Sequence, residues 1–356
     1  MENGALVLNV LKVFGLSAFS FFIALLAAPL IINRLYRYKM WVSKKKHIAI
    51  TGEEASVVKS LRKDEPLTIP RMGGVLIWGS LFLVILLFWI LSNIFSGSPL
   101  FTKLNFLSRS QTWLPLFTLV SASLIGLADD FLHVKGSGGY IAGGLDLKKR
   151  ILLVALLGAV GAWWFYIRLG ESSIMVPFLG EVELGLFYIP LFIGAMIGTF
   201  SGGVIDGIDG LSGGVFASIF AAYGGIAFFH NQIDLAAFSG VIVGATLAFL
   251  WFNIPPARFY MGETGIMGLT TTLTVIAFLT KAVIVLPIIA FPLVLASGSC
   301  ILQIFSKKFR GKKIFLAAPI HHHFEAKGWP PYKVTMRFWV LGAVFAIIGM
   351  VIALIS

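Results

Sequence analysis

The chain has 356 residues, of which 58% are hydrophobic and only 12% charged, and its mean hydropathy is +0.92. A soluble domain of that length needs far more polar surface, so the bilayer is the expected solvent. The formal net charge is +12, and a single cysteine, Cys300, excludes an intrachain disulfide and a multi-cysteine metal site.

A spanning helix needs about 20 mostly apolar residues. The first such run, Val10 to Ile32, ends in Arg34, Arg37 and Lys39, which marks a span stopped at a basic face rather than a cleaved signal. Further spans are expected near 73–96, 113–129, 151–170, 185–205, 211–229, 237–252, 264–283, 284–303 and 335–355. The fold class is therefore an all-α integral membrane protein, a single polytopic domain over 1–356 with about ten transmembrane helices. Between the fourth and fifth spans, residues 172–184 alternate apolar and polar side chains about a glycine, which predicts a small β-hairpin.

The segments between spans fall alternately on two faces. One face, with 34–71, 130–150, 206–210, 253–263 and 304–337, carries 23 Lys and Arg; the other carries five. The positive-inside rule makes the first face cytoplasmic, with both termini and the hairpin on the periplasmic side. Such a basic surface suits anionic membrane lipids or a polyanionic substrate, although topology alone accounts for most of the lysines.

The acidic residues say more. Asp129 and Asp130 close a span, Asp206 and Asp209 lie in GGVIDGIDGLSGG, and Glu263 lies in ARFYMGETG. All sit at ends of apolar helices on the cytoplasmic side, where bare carboxylates are costly. Helix capping explains any one of them. Five on one face, each in a Gly- or Pro-marked helix break, fit a shared cation and an anionic substrate better. If helical, Asp206 and Asp209 share a face, whereas Asp129 and Asp130 diverge by about 100° and serve different tasks. The glycines at 202, 203, 207, 210, 213 and 214 give a ligand room to approach the backbone. Oxygen donors without cysteine favour Mg²⁺, or Mn²⁺, over softer metals.

Residues 317–329 read AAPIHHHFEAKGW. Adjacent histidines His321, His322 and His323 spread around a helix and lack zinc-site spacing. They are either solvated loop residues or donors to phosphate oxygens and carriers of protons. The flanking Pro319, Phe324, Trp329 and Pro330–Pro331 argue for an ordered loop.

API-HHHFE-x-KGW, followed by MRFW at the start of the last span, resembles the phospho-N-acetylmuramoyl-pentapeptide transferase family of bacterial translocases. PRMGG (70–74), ADD (128–130), DGIDGL (206–211), WFNIPPARFYMGETG (251–265) and FRGKKIF (309–315) resemble further family segments, so the likeness runs along nearly the whole chain. The acidic pair and DG-x-DG belong to the wider polyprenyl-phosphate sugar-1-phosphate transferase superfamily; HHHFE is the specific stretch. The resemblance implies transfer of phospho-MurNAc-pentapeptide from its UDP carrier to undecaprenyl phosphate in the bacterial inner membrane, giving lipid I and UMP for peptidoglycan synthesis. It implies Asp129 as general base, Asp130 beside the lipid phosphate, and Glu263 as metal ligand, with Asp206 and Asp130 as further metal candidates. Gly207, Ile208, Asp209, Asn253 and Tyr260 would line the uridine region, with His322 near the diphosphate. Lys63, Lys148 and Lys149 join Asp206 as further substrate-binding candidates. Many proteins that it resembles are dimers, whereas no motif points to nucleic acid. The chain departs from the family pattern at Arg71 and Ile205, both Thr in the family, and at Gly203, Tyr260 and Glu263, where Asn, Phe and Asp are usual. A related GlcNAc-1-phosphate transferase would share the acidic motifs. A transporter would instead place its charges near the bilayer midplane in two repeats.

Overall fold

A computed structural model describes residues 2–42, 56–61, 68–108, 111–137 and 144–356. In lipid every backbone polar group needs a partner within the chain, so long apolar runs become helices. Helix α1 (Glu2–Val10) continues through a π turn (Leu11–Gly15) into α2 (Leu16–Arg37), forming one rod. A short α3 (Ser56–Leu61) precedes α4 (Val75–Ile94), α5 (Pro99–Leu104) and α6 (Trp113–Lys135). Helix α7 (Leu147–Trp163) leads into the hairpin of β1 (Ser173–Val176) and β2 (Gly180–Glu183), whose antiparallel register pairs Ser173 with Glu183. Then come α8 (Tyr188–Ser201), α9 (Leu211–Phe229), α10 (Ile233–Asn253), α11 (Gly262–Leu279), α12 (Leu286–Ile289), α13 (Phe291–Arg310), α14 (Ile320–Ala326) and α15 (Pro331–Ile355).

Among the described residues, nine helices are long and apolar enough to cross a membrane. The tenth expected span, 284–303, behaves differently. It breaks at Ala290 just before Pro292, and the longer piece, α13, carries Lys307, Lys308 and Arg310 in its last turn. Proline lacks the amide that would continue a helix across that point. The other spans hold, and large apolar side chains face outward from them: Leu26 is 74% exposed and Val340 63%. In a soluble protein such a belt would be an aggregation hazard; against lipid it is the solvated surface.

The centre of the bundle is α11, whose buried set covers most of its length. Two of its buried threonines bond back to their own helix: Thr270 Oγ1 donates to Ile266 O at 2.7 Å and Thr271 Oγ1 to Met267 O at 2.6 Å. Hydroxyls satisfied on their own helix pack into an apolar core at little cost. Helix α11 packs most extensively against α6. Small residues make that contact close: a Cβ on Gly126 would strike the Glu263 carbonyl, and one on Gly268 would strike Ser123 Oγ. This is how membrane helices approach where no hydrophobic force drives them together.

The two ends of the bundle differ. One collects the hairpin, Lys281 with Glu171 and Glu181, and the ion pair of Lys12 with Asp234. The other collects the C-terminal end of α6, the start of α11, the 206–210 turn and α14, which is the grouping expected from the loop charges.

Candidate active site

Asp129 and Asp130, on the last turns of α6, are both fully buried. They diverge as adjacent helical residues must. Asp130 Oδ2 accepts the backbone N–H of Thr264 at 3.0 Å, while its Oδ1 accepts Arg71 Nε at 3.3 Å. Asp129 Oδ1 accepts the N–H of Leu145, and its Oδ2 lies 3.1 Å from a terminal nitrogen of Arg150. The other terminal nitrogen of Arg150 binds Glu263 Oε1, and Arg150 Nε donates to Leu145 O at 3.1 Å. Arg150 thus ties α6, the segment before α7 and the start of α11 into one unit. Two positive-φ glycines make room for it. A Cβ on Gly144 (φ 85°) or on Gly262 (φ 72°) would collide with the carboxylate of Asp129 or Asp130 respectively.

The PRMGG loop and the loop before α11 clasp each other through their backbones. Tyr260 N donates to Pro70 O, Gly73 N to Tyr260 O and Gly74 N to Met261 O, each at 2.8 Å. Asn253 is buried and braces this clasp: its Oδ1 accepts Gly210 N at 2.9 Å and its Nδ2 donates to Phe259 O at 2.8 Å. Ile208 is buried in the core, so what it offers a ligand is backbone.

The expectation that Asp206 and Asp209 share a helical face needs correction. Residues 206–210 form turns between a 3-10 segment ending at Ile205 and α9, and Gly210 has φ 76°. The glycines break the helix, so the carboxylates go to different partners. Asp206 Oδ1 accepts Ser212 Oγ at 2.7 Å, and Asp209 Oδ2 accepts Ala257 N at 3.2 Å. Burial pushes the Asp206 carboxyl up to about 6; Ser212 and the charge of Arg71 oppose that rise, while Glu263 and Asp130 add to it.

The three histidines open α14. His321 and His322 are buried, and a Cβ on Gly207 would meet Nε2 of both, so they close over the DG-x-DG turn. His322 Nδ1 lies 2.6 Å from Glu325 Oε2. His323 turns away: its Nδ1 accepts Leu316 N at 3.1 Å, and burial together with Lys327 lowers its pKa. Phe324 stacks on Trp329, with Arg337 over the indole, which holds the loop in shape. The stretch is ordered structure rather than solvated loop.

Of the expected site residues, then, Asp129, Asp130, Asp206, Gly207, Glu263, His321 and His322 gather at one end of the bundle. Asp209, Asn253 and Tyr260 support the loops beside them. Lys148 and Lys149 are exposed on the first turn of α7, and Lys63 lies outside the described residues. Sequence reading passed over Arg150, the third residue of the same basic run, and treated Arg71 only as a departure. The available signal was chemical: one helical turn can aim only one of three adjacent basic side chains at the acids, and a buried ion pair favours the guanidinium fork.

Among the described residues no three His, Cys, Asp or Glu side chains form a ready-made metal cage. The donor chemistry still fits a hard cation. The hydrogen bonds above use one oxygen of Glu263 and one of Asp206, and Mg²⁺ commonly takes one or two carboxylates and completes its shell with substrate phosphates and water.

A family model described as Glycosyl transferase family 4 matches residues 112–281. A phospho-N-acetylmuramoyl-pentapeptide-transferase of Anoxybacillus flavithermus is 34% identical over 340 residues, covering 94% of this chain and 95% of its own. Another, of Geobacillus sp., is 33% identical over 337 residues with the same coverage. One of Pelagibacter ubique is 35% identical over 302 residues, covering 79% of this chain and 78% of its own. Likeness of that degree along nearly the whole length, with the acidic pair, DG-x-DG turn and histidine helix gathered at one end of the bundle, places the chain in the phospho-N-acetylmuramoyl-pentapeptide-transferase family.

Proposed function

We propose that this chain transfers phospho-MurNAc-pentapeptide from UDP-MurNAc-pentapeptide to undecaprenyl phosphate, in the bacterial inner membrane with the site facing the cytoplasm. The observation that carries the reading is the meeting of Asp129, Asp130 and Glu263 with two arginines at one end of a membrane-embedded bundle, beside the histidine-covered DG-x-DG turn. Substrates that each bring phosphate, one of them anchored in lipid, suit a site at that depth.

In the proposed reaction an oxygen of the lipid phosphate attacks the β-phosphorus of the UDP-sugar. The bond from that phosphorus to the bridging oxygen breaks, and UMP leaves with the electron pair. Asp129 faces the attacking phosphate and takes any proton it still carries. That phosphate is largely ionised near neutral pH, so orientation is the larger part of this role. Asp130, held by Arg71 and the Thr264 amide, fixes where the phosphate can sit. His322, oriented by Glu325, donates to the diphosphate. Mg²⁺, or Mn²⁺ in its place, would be held by Glu263 and Asp206 with Asp130 beside them. When bound it offsets the diphosphate's negative charge, and such charge stabilisation supplies most of the rate enhancement in phosphoryl transfer.

The test is UMP release by the purified protein with undecaprenyl phosphate, offered either UDP-MurNAc-pentapeptide or UDP-GlcNAc. Turnover of the first alone is expected. Asp129→Asn and Asp130→Asn should each lower kcat by about 10²–10⁴. Turnover of UDP-GlcNAc instead would make the chain a GlcNAc-1-phosphate transferase.

A further inference from the structure

The two arginines at the carboxylates differ in how much of each guanidinium is already committed. Arg150 has all three of its nitrogens engaged: Nε donates to Leu145 O, one terminal nitrogen binds Glu263 and the other forms an ion pair with Asp129. Its side chain is 16% exposed. Arg71 pairs with Asp130 through Nε, at 3.3 Å, and its side chain is 28% exposed over a carboxylate that is wholly buried. Pairing through Nε leaves both terminal amino groups to donate elsewhere, and that edge matches two oxygens of a phosphate. The backbone beneath is pinned on both sides. Arg71 N donates to Met40 O, and the neighbouring Pro70 and Gly73 are clasped to Tyr260. A long side chain anchored at its root and at Nε has lost most of its rotamer freedom before any ligand arrives, which lowers the cost of binding.

We propose that Arg71 is a phosphate-binding residue, presenting its terminal amino groups to a substrate phosphate at the mouth of the Asp130 pocket while Arg150 is a purely structural clamp. The phosphate has two sources, the nucleotide diphosphate and the lipid phosphate, and both carry the chemistry that a guanidinium fork recognises. The inference rests on the reading of the site as one for phosphate substrates. Its own content is which of the two arginines meets them.

Arg71→Lys separates the roles, because it keeps a cation near Asp130 and loses the fork. Arg71→Gln removes the charge and leaves Asp130 buried without its partner, so it measures what the ion pair contributes to stability. Three quantities are measured for wild type and both variants: melting temperature, Kd for UDP by calorimetry, and KM for undecaprenyl phosphate from UMP release. Arg71→Lys should melt close to wild type and lose about tenfold or more in one of the two binding measurements, the size of a lost charged hydrogen bond. A weaker Kd for UDP assigns Arg71 to the nucleotide diphosphate. A raised KM for the lipid with UDP binding unchanged assigns it to the lipid phosphate. If Arg71→Lys binds UDP and the lipid as wild type does, whatever its melting temperature, Arg71 only neutralises Asp130 and the proposal is wrong. Failure of the wild-type protein to release UMP would count against the transferase reading, whereas the UDP titration tests Arg71 independently of turnover.

Discussion

Asp206 shows what burial does to one carboxylate. Its pKa stands at about 6 against an ordinary 3.8, because desolvation of the charged form outweighs Ser212 and the more distant Arg71. The folded protein therefore holds this proton more tightly than the unfolded chain does. From this group alone, unfolding free energy rises as pH falls from 7 towards 4, and the ionised form is the destabilised one. Asp206→Asn should remove that slope and stabilise the metal-free protein at pH 7 by on the order of 1 kcal/mol, the full shift being trimmed because the side chain is only half-buried. Denaturation of chelator-treated wild type and variant across that pH range checks this. Parallel curves would show that Asp206 does not titrate there.

Between elements, the geometry of the site depends on how closely α6 and α11 approach. Gly126 faces the carbonyl of Glu263, and Ser123 faces Gly268, so two helix backbones lie nearly in contact one turn below the acidic pair. That approach brings the Thr264 amide to Asp130 and Glu263 to Arg150. Gly126→Ala inserts one methyl where backbone cannot yield, and overpacking of this kind costs about 1–3 kcal/mol. The expected result is a lower melting temperature together with a disproportionate loss of kcat, because the displaced element carries Glu263. The more distant Gly158→Ala, where a Cβ would sit 3.3 Å from the Ile193 Cα on the α7–α8 contact, should cost stability without that extra loss of rate. Equal kcat in both variants would separate the α6–α11 contact from the chemistry.

Over the whole molecule, the proposed orientation follows from charge rather than packing. The 23 Lys and Arg on one set of connections against five on the other are the basis, by the positive-inside rule, for proposing a cytoplasmic acidic end. Single cysteines at Ser60, which is exposed on α3, or at Ala326 in a Cys300→Ala background should react with an impermeant maleimide only after the cells are permeabilised. Labelling in intact cells would invert the topology and with it the side on which the nucleotide-sugar must be supplied.

Hydropathy determined the helices of this protein because lipid acts on each run of about 20 residues separately, so each span carries its own signal. The acidic pair, the glycine-broken DG-x-DG turn and the histidine stretch were legible for a similar reason. Carboxylates and imidazoles in an apolar chain are costly wherever they fall, so their presence alone marks a candidate site. The tertiary structure decided the partners. Which residue of Lys148, Lys149 and Arg150 meets Asp129 depends on the phase of α7 and on Gly144 giving way beside the carboxylate. That Asp206 and Asp209 part company depends on a backbone break, and that Asn253 braces two loops depends on the 210 and 259 backbones arriving together. Interactions of this kind join residues far apart in sequence through distances of about 3 Å, and no local pattern encodes a distance between helices.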